Sequence, residues 1–174
     1  MTTLKIGDLI FVDSGSFVNK VIQKVSKFEY GHVAVIVNDY VVVDIRAGNS
    51  YSLIDIKDMN VSKFAIARVK DEFDVHRFMR VVSHSGCLKV RYNYRAIVRL
   101  FLNYKLKVPT KRKPFNGKNI YCSEFADYLF QKSGVKLQDD SKMTSVESLY
   151  KSDKLEFIGY GNGIEELLKL YGGR

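Results

Sequence analysis

Between Gly31 and Ile45 the chain reads Gly31-His32-Val33-Ala34-Val35-Ile36-Val37, then Asn38-Asp39, then Tyr40-Val41-Val42-Val43-Asp44-Ile45. Two β-branched runs around a turn-forming Asn-Asp pair specify a β-hairpin, so the chain commits early to a sheet that other segments must cover. Further strands are expected at Leu9 to Val12, near Phe64 to Val69 and near Leu155 to Gly159. Helices are expected at Phe17 to Val25, through Asp74 to Ser83, around Tyr92 to Tyr104, after Cys122, and at Ile164 to Tyr171. Several strands followed mainly by helices indicate an α+β domain rather than alternating parallel units. With 174 residues, 46% of them hydrophobic, and no Pro- or Gly-rich linker, the sequence reads as a single domain over 1–174.

The hairpin also carries chemistry. His32 opens its first strand and Asp44 lies near the far end of the second. A two-residue loop at Asn38 and Asp39 pairs Val37 with Tyr40, sets His32 opposite Ile45 and turns Asp44 to the other face. A three-residue loop, Val37 to Asp39, pairs Ile36 with Tyr40 and sets Asp44 directly opposite His32. Hairpins use both loop lengths, so the sequence leaves open whether the carboxylate orients the imidazole. The plainer role for His32 is a strand-end histidine bonded to nearby backbone.

The complementary group comes much later. After Cys122 the residues Phe125, Ala126, Leu129 and Phe130 recur at helical spacing among Glu124, Asp127, Gln131 and Lys132, and Gly134 supplies a stop. Cys122 thus falls in a first helical turn, where unpaired N–H groups and the positive end of the helix dipole favour a thiolate and can also hold an oxyanion. A free cysteine is as readily a small apolar residue packing its helix into the core. A thiol opening a helix and an imidazole opening a strand are nevertheless the two parts of a nucleophile and its base.

The order of these segments adds a resemblance. Lys5-Ile6-Gly7-Asp8-Leu9-Ile10-Phe11, the Gly31-His32-Val33 strand, Val43-Asp44 and the Tyr121-Cys122-Ser123-Glu124-Phe125 helix together resemble the permuted NlpC/P60 papain-like hydrolases of the YiiX-like branch. That set is related to the poxvirus G6-like and lecithin:retinol acyltransferase-like proteins. In ordinary papain-like enzymes the cysteine precedes the histidine; in the permuted set the histidine comes first, as here. The resemblance spans most of the chain, including the Val18 to Val25 helix and Met143-Thr144-Ser145-Val146 after the cysteine helix. It implies a circularly permuted papain-like fold, an antiparallel sheet packed against helices. It also implies Cys122 as nucleophile, His32 as base and later acid, and Asp44 as the orienting group, a place where the relatives more often carry glutamate. Aspartate is one methylene shorter, so a less direct bond to the imidazole is expected. The oxyanion donors expected are the Cys122 backbone N–H and, beside it, the Tyr121 side chain.

The activity implied is a thiol hydrolase or acyltransferase acting on an amide or ester of a lipid, acylated or peptide-like substrate through an acyl-enzyme. The alternatives are a cell-wall peptidase and a catalytically silent binding module. No cofactor is expected. His84-Ser85-Gly86-Cys87 with His76 has no second cysteine pair or acidic cluster to complete a metal site, Cys87 reads as a core or loop thiol, and no glycine loop cradles a phosphate.

The net charge of +9 gathers largely in Lys89 to Lys118. Arg91, Arg95 and Arg99 recur at i, i+4, and Lys105, Lys107, Lys111, Arg112, Lys113 and Lys118 follow in a basic loop. Such a stripe is expected to be a solvated helix face, with Tyr92, Tyr94, Phe101 and Tyr104 turned to a core, which disfavours nucleic acid. An anionic membrane surface or an acidic partner through Lys105 to Lys118 is the remaining reading. Two cysteines make no disulfide framework, the N-terminus carries no signal-peptide pattern, and no apolar run reaches the ~18 residues of a membrane span. A soluble protein of a bacterial cytoplasm, or a viral or phage protein in a host cytoplasm, is expected.

Overall fold

A computed structural model describes residues 3–46, 51–88, 90–106, 118–139 and 143–170. In chain order the elements are β1 (Leu9–Asp13), α1 (Phe17–Ser26), β2 (His32–Asn38), β3 (Val41–Ile45), β4 (Tyr51–Asp55), a short 3-10 turn (Ile56–Asp58) and β5 (Lys63–Val69). They continue with α2 (Val75–Cys87), β6 (Arg91–Tyr92), α3 (Tyr94–Leu106), β7 (Asn119–Ile120), α4 (Cys122–Lys132), α5 (Val146–Tyr150), β8 (Leu155–Asn162) and α6 (Gly163–Leu170). Six strands form one antiparallel sheet in the order β4-β3-β2-β1-β5-β8, and β6 and β7 form a separate parallel pair. This is the mixed architecture expected, an antiparallel sheet with helices laid on it.

Strand alternation divides the core in two. Leu9, Phe11, Val33, Val35, Val43 and Ile45 face one way and pack with Phe125, Ala126, Leu129 and Phe130 of α4. Ile10, Val12, Ala34, Ile36, Val42 and Ile66 face the other way and pack with Ile56, Met59 and Leu167 of α6. A sheet covered on both sides explains why β1 and β2 read as nearly unbroken apolar runs.

The hairpin register is neither of the two expected. Val35 lies opposite Val43, Ile36 opposite Val42 and Asn38 opposite Val41, with a register shift between Ile36 and Asn38. The Asn38 side-chain oxygen accepts from the Tyr40 backbone N–H, so Asn38 starts the turn instead of filling its first central position. Val37 becomes the extra residue of a bulge. Continued one step, this register sets Asp44 opposite Ala34, two residues from His32 on the same side of the pleat.

Other expectations shift by a few residues. The helix expected from Asp74 begins after it, because the Asp74 side chain caps α2 by accepting from the Arg77 N–H. Strand β4 was not expected; it is a short edge strand whose central Leu53 is exposed, so it carries little burial signal. Arg91 lies in β6, not on the helix with Arg95 and Arg99. Of the four aromatics expected to face a core, Tyr92 does, whereas Tyr94 and Phe101 are exposed and Tyr104 is half-buried. The reason is that α3 packs mainly against α1 and, among its described residues, turns only Ala96 and Ile97 toward the core, so only one stripe of it is covered. Lys89, Tyr171 and, of the expected basic loop, Lys107, Lys111, Arg112 and Lys113 lie outside the described residues.

Candidate functional site

The short β6–β7 pair delivers the chain to α4. Arg91 N–H donates to the Lys118 carbonyl and Asn93 N–H to the Ile120 carbonyl, which fixes the approach to Tyr121. Tyr121 is the N-cap residue in extended backbone, its carbonyl accepting from Phe125 N–H, and its side chain is buried. Cys122 is the first helical residue, 4% exposed. The Met143 to Val146 segment clamps that first turn: Ser123 Oγ donates to the Thr144 carbonyl at 2.8 Å, and Thr144 Oγ1 donates to Asp127 at 3.3 Å.

His32 is held by β2 at its first residue, opposite Val12 of β1. Its Nε2 lies 2.5 Å from Asp44 Oδ1, a direct bond in spite of the shorter aspartate side chain. Diagonal neighbours on one side of a pleat are within reach of long side chains, and the bulge at Val37 creates that diagonal. The Cys122 side chain acts on the same ring, adding to the rise in the His32 pKa after Asp44. Sequence positions 32, 44 and 122 therefore converge at the point where β2 begins and α4 starts.

The electrostatics follow from burial and pairing. Burial alone would lower the pKa of His32, but the adjacent Asp44 charge and then Cys122 outweigh it and push the imidazole up to about 10. Burial alone would raise the pKa of Asp44; His32 and Arg46 outweigh it and hold the carboxyl below its ordinary value. Arg46 Nε donates to Asp44 Oδ2, so the carboxylate is bonded through both oxygens. At neutral pH the imidazolium form of His32 is favoured, backed by the Asp44 carboxylate and the Arg46 guanidinium.

Two neighbours escaped the reading of the sequence. Arg46 follows Asp44 by two residues, and strand alternation alone places them on one side. Tyr92 has no such signal: burial first, then the Cys122 and Asp44 charges, raise its pKa, so a neutral phenol stands near the thiol. Cys87 ends α2 and is exposed, not a core thiol, and His76 and His84 are exposed on the same helix. Among the described residues no three His, Cys, Asp or Glu side chains converge to hold a metal, and no helix is long and apolar enough to cross a membrane.

No protein-family model and no curated protein matches the chain. Among solved structures it is similar to the crystal structure of the metalloprotein YiiX from Escherichia coli O157:H7, with a TM-score of 0.58 and 14% identity. The match covers 93% of this chain and 100% of that one. The description as a metalloprotein is that of the YiiX structure. Over nearly its whole length, then, the chain has the fold of YiiX, as the order of its histidine strand and cysteine helix implies.

Proposed function

We propose that the protein is a cysteine hydrolase or acyltransferase that opens an amide or ester through an acyl-thioester on Cys122. The observation that carries this reading is the buried His32, bonded to Asp44 at 2.5 Å, with Cys122 at the start of α4 close enough to act on the same ring. A cysteine sulphur at a helix start, beside an oriented imidazole that can hold its proton, has what nucleophilic acyl transfer requires.

In this mechanism the Cys122 proton resides on His32 and the thiolate attacks the substrate carbonyl carbon. The carbonyl electron pair moves to oxygen, where the Cys122 N–H and the first turn of α4 stabilise it. As the C–N or C–O bond breaks, His32 passes its proton to the leaving amine or alcohol. Water or an acceptor nucleophile then attacks the thioester, His32 takes its proton, and the acid product or transferred acyl group leaves. Asp44 keeps the ring in one orientation, and Arg46 holds Asp44. The Tyr121 side chain has the weaker claim to an oxyanion role, because it lies among core residues.

The test is hydrolysis of a panel of aryl esters, acyl thioesters and short peptides by the native chain, Cys122→Ala and His32→Ala. Loss of turnover by at least a thousandfold in both variants, with native circular dichroism, is expected. Unchanged turnover in either would reject the mechanism. Release of fatty acid would identify an acyl-lipid substrate; release of peptide fragments would identify the peptidase alternative.

A further inference from the structure

Helix α3 carries more apolar surface than its packing covers. It rests on α1 and leaves Val98 58% and Leu106 65% exposed, with Phe101 and Leu102 also open to solvent. With 3.6 residues per turn, these four and the cations Arg95, Arg99 and Lys105 interleave on one arc of roughly 160°. A shallow apolar groove lined by Val21, Ile22, Val25, Ile97, Phe101 and Tyr104 continues the surface onto α1, beside the exposed Lys20 and Lys24.

The charge carried by these two helices has one sign; Glu147, which accepts from Tyr104 at the edge of the groove, is itself paired with Lys151. Neither α1 nor α3 contains an acidic residue, and none of Lys20, Lys24, Arg95, Arg99 and Lys105 is ion-paired among the described residues. From Val75 to Ser123 the sequence has 12 Lys and Arg and no Asp or Glu; outside that stretch acidic residues outnumber basic ones, 19 to 16. The whole excess of positive charge thus belongs to the segment that bears the exposed aliphatic side chains.

We propose that the α1–α3 face is a peripheral membrane-binding surface for bilayers rich in anionic phospholipid. Val98, Leu102 and Leu106 enter the boundary of the acyl region while Arg95, Arg99 and Lys105 meet the phosphates. A nucleic acid would reward the cations and flat rings, but it offers nothing to Val98, Leu102 or Leu106. A helix face that is both aliphatic and cationic matches a lipid interface, where each property has a counterpart. The assignment is independent of the chemistry given to Cys122. One helix of this face also reaches the site, because Asn19 of α1 packs on Gly31, next to His32.

The experiment is sedimentation of the full chain with phosphatidylcholine vesicles, with and without one-third phosphatidylserine, at physiological salt. Binding only to the serine-containing vesicles is expected. Arg95→Gln with Arg99→Gln should lower the apparent partition coefficient by about 25-fold, and Val98→Ser with Leu102→Ser should remove the part of the binding that survives high salt. All four side chains are exposed, and thermal unfolding would verify that each variant is folded. Absence of binding by the native chain would overturn the proposal, as would full binding by both variants. Capture of single-stranded RNA without any vesicle binding would reassign the surface to nucleic acid.

Discussion

His32 is subject to two opposed effects, and its protonation state reports which prevails. Burial favours the neutral ring, whereas Asp44 and Cys122 favour the imidazolium and win. Asp44→Asn should therefore bring the His32 titration, followed by ring NMR, down from about 10, and should slow iodoacetamide alkylation of Cys122 at neutral pH. His32→Ala should slow alkylation further, with exposed Cys87 as the control whose rate stays constant in each variant. An unaltered His32 titration in Asp44→Asn would show that the carboxylate does not govern the ring. At this scale the sequence was informative about residue type: a thiol, an imidazole and a carboxylate at element boundaries were visible as candidates. What it could not display was Tyr92, whose approach to Cys122 depends on the β6–β7 pairing, a contact between segments far apart in the chain.

The elements hold that geometry through close approaches. A Cβ on Gly31 would lie 2.8 Å from Asn19 Cβ and 3.0 Å from its Cα, so α1 would have to leave β2 just beside His32. Gly31→Ala should destabilise the protein by about 1–3 kcal/mol in urea unfolding and weaken turnover together with stability. Gly7→Ala should cost more, since that residue has a φ of +91° and its Cβ would fall 2.4 Å from the Phe73 ring. A midpoint shift in Gly31→Ala no larger than in a surface substitution would show that α1 is free to yield. The hairpin and the cysteine helix were legible because their apolar periods, two and 3.6, are strong and uninterrupted. Their register was not legible, because it turns on one hydrogen bond, from Tyr40 N–H to the Asn38 side chain. The direction of α3 was misjudged for a related reason: period locates an apolar face but does not say whether another element covers it.

The whole molecule has a pH dependence whose sign follows from the buried pair. The folded pKa of His32 is raised from 6.5 to about 10, so its contribution is complete below 6.5 and is lost as pH rises through 10. That of Asp44 is lowered, so its contribution is present above 3.8 and is lost as pH falls through the folded value. Thermal unfolding should thus show the full effect of both between about pH 4 and 6.5, and His32→Gln should flatten the alkaline decline; an equal decline in both proteins would exclude His32 as its source. The chain order of the site has a further outcome in synthesis. The imidazole and carboxylate are twelve positions apart on consecutive strands, whereas the sulphur belongs to a helix that follows five of the six sheet strands. As the chain leaves the ribosome, the hairpin can close first. A nascent chain that ends before α4 carries His32 and Asp44 but not the Cys122 thiol, so the full site arises only after most of the sheet has been made.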